Sequence, residues 1–273
     1  MTAALIRVAA FYRFAAVPDR QALAAHLRAF GAANGLRGSI IVAEEGANGT
    51  IVGAPEAVDA LFALLRAEPG FEGLAPRFHD APELPFARWK VKVKREIVTM
   101  GVPVDAAGNA GVHVAPAAWN ALIADPGTIL IDTRNDYEVA IGTFDGAIDP
   151  RTASFGDFPA WFDAQAAQWR AEGREPRIAM FCTGGIRCEK STAYARAQGF
   201  DQVYHLEGGI LAYLAEIEAA DSKWRGECFL FDERVSLTHG EEIGDARLCA
   251  TCGQPVLPSA DHDCAGLAAG ELP

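Results

Sequence analysis

Arg177-Ile-Ala-Met-Phe-Cys-Thr-Gly-Gly-Ile-Arg-Cys-Glu-Lys-Ser191 is the run from which the rest of the chain can be placed. Arg177–Phe181 is a short apolar run that reads as a buried strand ending at Cys182. Gly184 and Gly185 let the backbone curl, and a helical stretch over 189–198 follows, stopped by Gly199. Strand, glycine turn and helix form the repeating unit of a parallel α/β sheet, and ligands gather at the C-terminal ends of such strands. Two more short strands fit the same rhythm: Thr128–Ile131, ending at Asp132, and Val203–Leu206, ending at Glu207-Gly-Gly. Residues 113–222 are therefore expected to form a parallel-sheet domain with helices on both faces.

Upstream, Leu5–Phe14 reads as a strand and Arg20–Phe30 as a helix closed by Gly31. Residues 38–43 and 50–52 read as strands joined by the turn Glu44-Glu-Gly-Ala-Asn-Gly49, whose Asn-Gly would supply positive φ angles. Pro55 opens a second helix through Leu65, and a strand is expected near Pro76–His79. That order, β-α-β-β-α-β, is ferredoxin-like and assigns residues 1–100 to a first domain. Residues 101–112, rich in Gly, Ala and Pro, read as a linker. Residues 223–273 read as an irregular C-terminal extension with a cysteine-rich tail.

The chain has 273 residues, 50% hydrophobic and 22% charged, enough to bury sizeable cores. No stretch reaches the roughly 18 consecutive apolar residues of a membrane span. Arg7 and Arg13 interrupt the apolar N-terminus, which reads as a strand rather than a signal peptide. Six cysteines without a secretory signal point to reduced thiols and a cytoplasmic protein. The net charge of −12 is uneven: residues 1–100 hold 12 Lys+Arg against 10 Asp+Glu, and the remainder 12 against 26. Of five lysines in all, three are Lys90, Lys92 and Lys94, so a local basic patch sits in the less acidic half.

The cysteine loop is built to make a thiolate. Inward-pointing amides, a helix N-terminus and the Arg187 charge all favour S⁻ over SH at Cys182. Thr183, Gly184, Gly185 and Ile186 complete the loop. Arg187 lies five positions after Cys182, one short of the spacing with which a phosphatase loop encloses phosphate, and the tighter ring suits a single sulfur atom. Cys188 has two readings, a resolving thiol for an oxidised Cys182 and, favoured, a small buried side chain. Asp132 and Arg134 read as an internal ion pair pinning the site, in preference to a catalytic role. No Gly-x-Gly-x-x-Gly follows a strand and the six histidines look scattered, so no flavin, haem, iron or other metal site is expected.

With Ile131-Asp-Thr-Arg-Asn-Asp-Tyr-Glu138 and Leu206-Glu-Gly-Gly-Ile210, the cysteine loop resembles a rhodanese domain over roughly residues 113–220. CTGGIRCEKS, EEGANGT, KVKVKREIV and GECFLFDERV together resemble the bacterial rhodanese-containing tRNA uridine hydroxylases. The resemblance implies hydroxylation of the wobble uridine to 5-hydroxyuridine, molecular oxygen as co-substrate, and tRNA, gripped at its anticodon region, as partner. It matches Cys182 to the family's catalytic, persulfide-forming cysteine, and it extends to a contact of Glu45, Asn48 and Gly49 with the anticodon loop. The residues alone support two rivals. One is a sulfurtransferase carrying a persulfide on Cys182, and the other is a non-catalytic sensor using Cys182 as a redox switch.

Arg88, Trp89, Lys90, Lys92, Lys94 and Arg95 lie within eight residues free of acids. Alternate lysines on a strand stand about 7 Å apart, close to phosphate spacing, and Trp89 could stack on a base. The same lysines would also guard a sheet edge against mispairing. In the tail, Cys249, Cys252, His262 and Cys264 could make a zinc knuckle, but only one Cys-x-x-Cys pair is complete and acidic Asp261 and Asp263 flank the histidine. A tail without metal is the favoured expectation.

Overall fold

The apolar run Ile6–Phe14 forms strand β1, and Asp19 caps helix α1 (Arg20–Ala33) by accepting the Ala22 N–H at 2.8 Å. Then follow β2 (Arg37–Ala43), β3 (Gly46–Gly53), α2 (Pro55–Arg66), β4 (Arg77–Ala81) and β5 (Trp89–Val93). The sheet order is β4-β1-β3-β2-β5, antiparallel except that β5 joins β2 in parallel. This is the expected ferredoxin-like order with one strand added at an edge. Phe11, Leu27, Ile40, Ile51, Leu61 and Phe62 pack between the sheet and its helices, all buried. The coordinates are a computed structural model, and the structure describes residues 6–81, 85–260, 262 and 264; Leu5, Asp261 and Asp263 of the sequence reading lie outside these.

Two local expectations change here. Gly31 does not end α1, which runs on to Ala33. A Cβ at Gly31 would lie 2.2 Å from Trp89 Cε2, so this glycine makes room for the indole. The Glu44–Gly49 segment is not a six-residue turn either. β2 ends at Ala43 and β3 begins at Gly46, leaving a two-residue hairpin of Glu44 and Glu45. Asn48 and Gly49 pair within the sheet, and neither has positive φ. A Cβ at Gly49 would meet the Ser39 carbonyl oxygen at 2.5 Å, so close strand approach requires glycine there.

The chain divides into two compact units, Met1–Thr99 and Met100–Pro273. In the second, β6 (Val112–Val114), α3 (Pro116–Ile123), β7 (Thr128–Asp132), α4 (Asp136–Val139), β8 (Gly142–Phe144) and α5 (Phe158–Ala171) lead into β9 (Arg177–Phe181). Next come α6 (Ile186–Ala197), β10 (Val203–Leu206), α7 (Gly209–Glu216) and β11 (Trp224–Gly226). The main sheet is parallel with order β6-β10-β9-β7. β9 lies between two neighbours, and Ile178–Phe181 is an unbroken buried apolar run, as an inner parallel strand requires. Phe144 ties several elements together: its ring centroid lies 4.7 Å from Tyr213, 4.8 Å from Phe181 and 5.2 Å from Trp224.

The residues after 222 are fastened to this unit. β11 pairs with β8, and Glu227 accepts the Asp245 and Ala246 amides at 3.0 Å and the Ser236 hydroxyl. Among the described residues, regular structure beyond consists of a 3-10 turn at His239–Glu241 and two-residue pairs, Cys228–Phe229 with Ser236–Leu237 and Arg247–Leu248 with Pro255–Val256. Among the described residues, no helix is long and apolar enough to cross a membrane.

Candidate active site

Cys182 follows directly on β9 and is fully buried. Gly185, at φ 98° ahead of α6, turns the chain so that its N–H reaches the Cys182 Sγ at 3.1 Å. The floor of the loop is α7. Ile210 donates to the Cys182 carbonyl at 3.0 Å and Leu211 to the Thr183 carbonyl at 3.1 Å. A Cβ at Gly209 would sit 2.5 Å from both carbonyl oxygens, at a φ of +66°. The Gly-Gly after β10 is therefore what lets the two turns meet. Above the loop, a Cβ at Gly184 would meet nothing within 4 Å, and Thr183, Gly184 and Ile186 form its partly exposed rim.

Burial by itself raises the Cys182 pKa. The Cys188 thiol, the Arg187 charge and the backbone amides of Cys188 and Arg187 outweigh it, lowering the value to about 6. Cys188 moves the other way, well above an ordinary thiol, through burial and its neighbour's charge. Of the two sulfurs, Cys182 is the one held toward the thiolate and Cys188 the one held toward the thiol. Cys188 is buried 3.7 Å from the Thr133 hydroxyl, which itself donates to the Phe181 carbonyl at 3.0 Å.

Arg187, expected from the sequence to act with Cys182 by stabilising developing negative charge, is itself ion-paired. Its guanidinium forks onto Glu138, at 2.5 and 2.8 Å, and donates to the Thr183 hydroxyl at 3.2 Å. Glu138 is completely buried, and despite that burial the charges of Arg187 and Arg134 hold its carboxyl below the ordinary range. The sequence reading missed Glu138. The Asn135-x-x-Glu138 spacing is a helix-start pattern, and the Asn135 N–H does donate to Glu138 at 3.1 Å, but nothing in that spacing signals the ion pair. Asp132 and Arg134 form a second buried pair at 2.7 Å. Arg134 also donates to the Glu138 and Gly142 carbonyls and lies 5.2 Å from the Trp224 ring, tying the end of β7 to α4 and β8.

A further group departs from expectation. His113, Glu189 and His205, far apart in sequence, place their ligand-capable atoms within 4.8 Å of one another. His113 Nε2 meets Glu189 at 2.9 Å, and that bond raises the His113 pKa. Burial lowers that of His205 to about 4, so it is neutral.

In the first unit, Arg88, Lys90, Lys92, Lys94 and Arg95 are all exposed, along and beside β5, an edge of the sheet. Val91 is buried behind them, and the Lys94 N–H carries the ladder one residue further, to the Val42 carbonyl at 3.0 Å. Trp89 faces inward and is half-buried on Gly31 of α1, donating to the Arg28 carbonyl at 3.3 Å. The ring expected to stack on a base therefore packs on α1 while remaining partly exposed. Glu45 and Asn48 fasten the segment that follows: Glu45 accepts the Ile97 N–H at 2.7 Å, and Asn48 donates to the Ile97 carbonyl at 3.1 Å.

Residues 6–97 match a family described as a UPF0176 acylphosphatase-like domain, and residues 115–216 match the rhodanese-like domain. A tRNA uridine(34) hydroxylase of Mesorhizobium japonicum is 56% identical over 255 residues, covering 93% of this chain and 81% of the relative. Its counterpart in Gluconobacter oxydans is 54% identical, covering 92% and 80%. That of Caulobacter vibrioides is 52% identical, covering 92% and 81%. The chain belongs to the tRNA uridine(34) hydroxylase family. In this hydroxylase-family chain the two matched regions fall one in each compact unit. The thiolate loop lies in the rhodanese-like match, and the lysine edge lies in the other.

Proposed function

We propose that this chain hydroxylates C5 of uridine 34 in tRNA, with molecular oxygen as co-substrate and Cys182 as the reacting group. The observation that carries the assignment of Cys182 is a buried sulfur whose pKa is lowered to about 6. In the proposed route the Cys182 thiolate adds to C6 of the ring, leaving a C5 enolate. The enolate adds oxygen to give a C5 hydroperoxide. Two thiols of an external reductant become a disulfide, taking one oxygen atom as water and leaving a C5 hydroxyl. Loss of the C5 proton then expels the Cys182 thiolate and restores the double bond. The rim of Thr183, Gly184 and Ile186 receives the base, and the loop amides, released from the sulfur, stabilise the enolate charge. Arg187, bound to Glu138, acts as a positioning residue for the loop.

The cations at Arg88, Lys90, Lys92, Lys94 and Arg95 hold the phosphates around the anticodon, in the cytoplasm where tRNA and reduced thiols coexist. The test is nucleoside mass spectrometry on unmodified tRNA incubated with a thiol reductant in air and under argon, beside Cys182→Ala. The expected result is an air-dependent gain of one oxygen on uridine 34, lost in the variant. Full activity of Cys182→Ala would end the thiolate route.

A second reading, a persulfide on Cys182, has support in the same loop. The sulfur is fully buried, and a second sulfur would reach roughly 2 Å further toward the rim. A persulfide mass on Cys182 after thiosulfate, with no oxygen gained on tRNA, would favour sulfur transfer.

A further inference from the structure

The end of the second unit carries little core. From Arg247 to Ala260 the buried residues are Cys252 and Pro255, and Leu248 is 47% exposed. A segment this poor in apolar contacts needs another source of order. Four side chains converge in it. Cys249, Cys252, His262 and Cys264 place their ligand atoms within 4.8 Å of one another.

The backbone shows how they meet. The pair Arg247–Leu248 with Pro255–Val256 makes a hairpin, closed by the Cys249 N–H to the Gln254 carbonyl at 2.8 Å and the Gly253 N–H to the Cys249 carbonyl at 2.9 Å. Gly253, at φ 78°, permits the turn that brings Cys252 beside Cys249. The Thr251 amide points at the Cys249 sulfur from 3.4 Å, a donor that a thiolate accepts better than a thiol. A second turn, from the Ala260 N–H to the Leu257 carbonyl at 3.0 Å, returns the chain so that His262 and Cys264 face this knuckle.

The spacings discriminate between the possible occupants. Metal–sulfur bonds of roughly 2.3 Å in a tetrahedron give sulfur–sulfur edges of about 3.8 Å, with sulfur–nitrogen edges somewhat shorter. Cys249 Sγ lies 4.0 Å from Cys264 Sγ, and Cys252 Sγ lies 3.2 Å from His262 Nε2. A disulfide needs about 2.05 Å, and all three cysteines are free. Three sulfurs and one imidazole, with no fifth group among the described residues, match a closed structural zinc site.

We propose that Cys249, Cys252, His262 and Cys264 bind a single structural zinc ion that fastens the C-terminal end of the second unit. Three cysteines bind as thiolates and His262 as neutral imidazole, so uptake at neutral pH releases the protons of whichever thiols were protonated. The expectation of a metal-free tail rested on the incomplete second Cys-x-x-Cys, and His262-x-Cys264 supplies the missing pair instead.

The test is elemental analysis of the full chain, purified under reducing conditions. The expected result is one equivalent of zinc in the wild-type chain and in Cys182→Ala, and none in Cys249→Ser with Cys252→Ser. To separate loss of metal from loss of fold in that double variant, the wild-type chain is also stripped with a mercurial, reduced and reloaded with cobalt(II). Intense thiolate-to-cobalt absorption with tetrahedral d–d bands supports the site. Absence of zinc from the wild-type chain with weak octahedral cobalt bands overturns it, as does a Cys249–Cys264 disulfide in metal-free protein. Zinc that persists in the folded double variant overturns it as well.

Discussion

The cysteine loop and the lysine edge handle charge in opposite ways. Around Cys182 the charges are buried and matched: Arg187 to Glu138 at 2.5 Å, and Arg134 to Asp132 at 2.7 Å. Along β5 the lysines stand in water with apolar Val91 behind them. Removing water makes each interaction strong and each unpaired group costly, so the loop is a cooperative unit. Solvated cations act additively and yield to salt, as attraction for a polyanion requires. Under the proposed function, chemistry is placed where the fold excludes solvent, and nucleic-acid attraction where it does not.

The largest expected effect breaks the buried side of that contrast. Glu138→Ala strands the Arg187 charge inside the protein and should cost about 3–5 kcal/mol, read by chemical denaturation. A loss within experimental error would mean that the pair is not a brace. On the exposed side, Lys90→Glu with Lys92→Glu should leave stability nearly unchanged but weaken tRNA binding. The log–log salt dependence should become shallower by about 1.4–1.8 for two lost phosphate contacts. An unchanged slope would remove β5 from the tRNA interface.

The smallest effect sharpens the loop itself. Cys188→Ala removes a hydrogen-bond donor to the Cys182 sulfur, so the Cys182 pKa should rise from its value of about 6. Since the thiolate is the form lost on acidification, the acidic limb of thiolate absorbance should move to higher pH. The readout is the ultraviolet difference between Cys188→Ala and Cys182→Ala with Cys188→Ala. An unmoved limb would assign the low pKa to Arg187 and the amides alone.

Local signals carried much of this protein. The apolar run before Cys182, the glycines after it and the helix beyond are short-range features, and backbone preference acts at that range. They located the thiolate loop, the parallel sheet and the ferredoxin-like order without any partner being known. The tertiary structure decided which groups those elements bring together. Glu138 meets Arg187 across 49 residues of sequence. Gly209 lies against the Cys182 carbonyl, Trp89 packs against Gly31, and His262 with Cys264 closes on the Cys249 hairpin. A side chain's neighbours follow from how whole elements pack and exclude water. Sequence spacing sets which face of an element a residue occupies but not what that face meets.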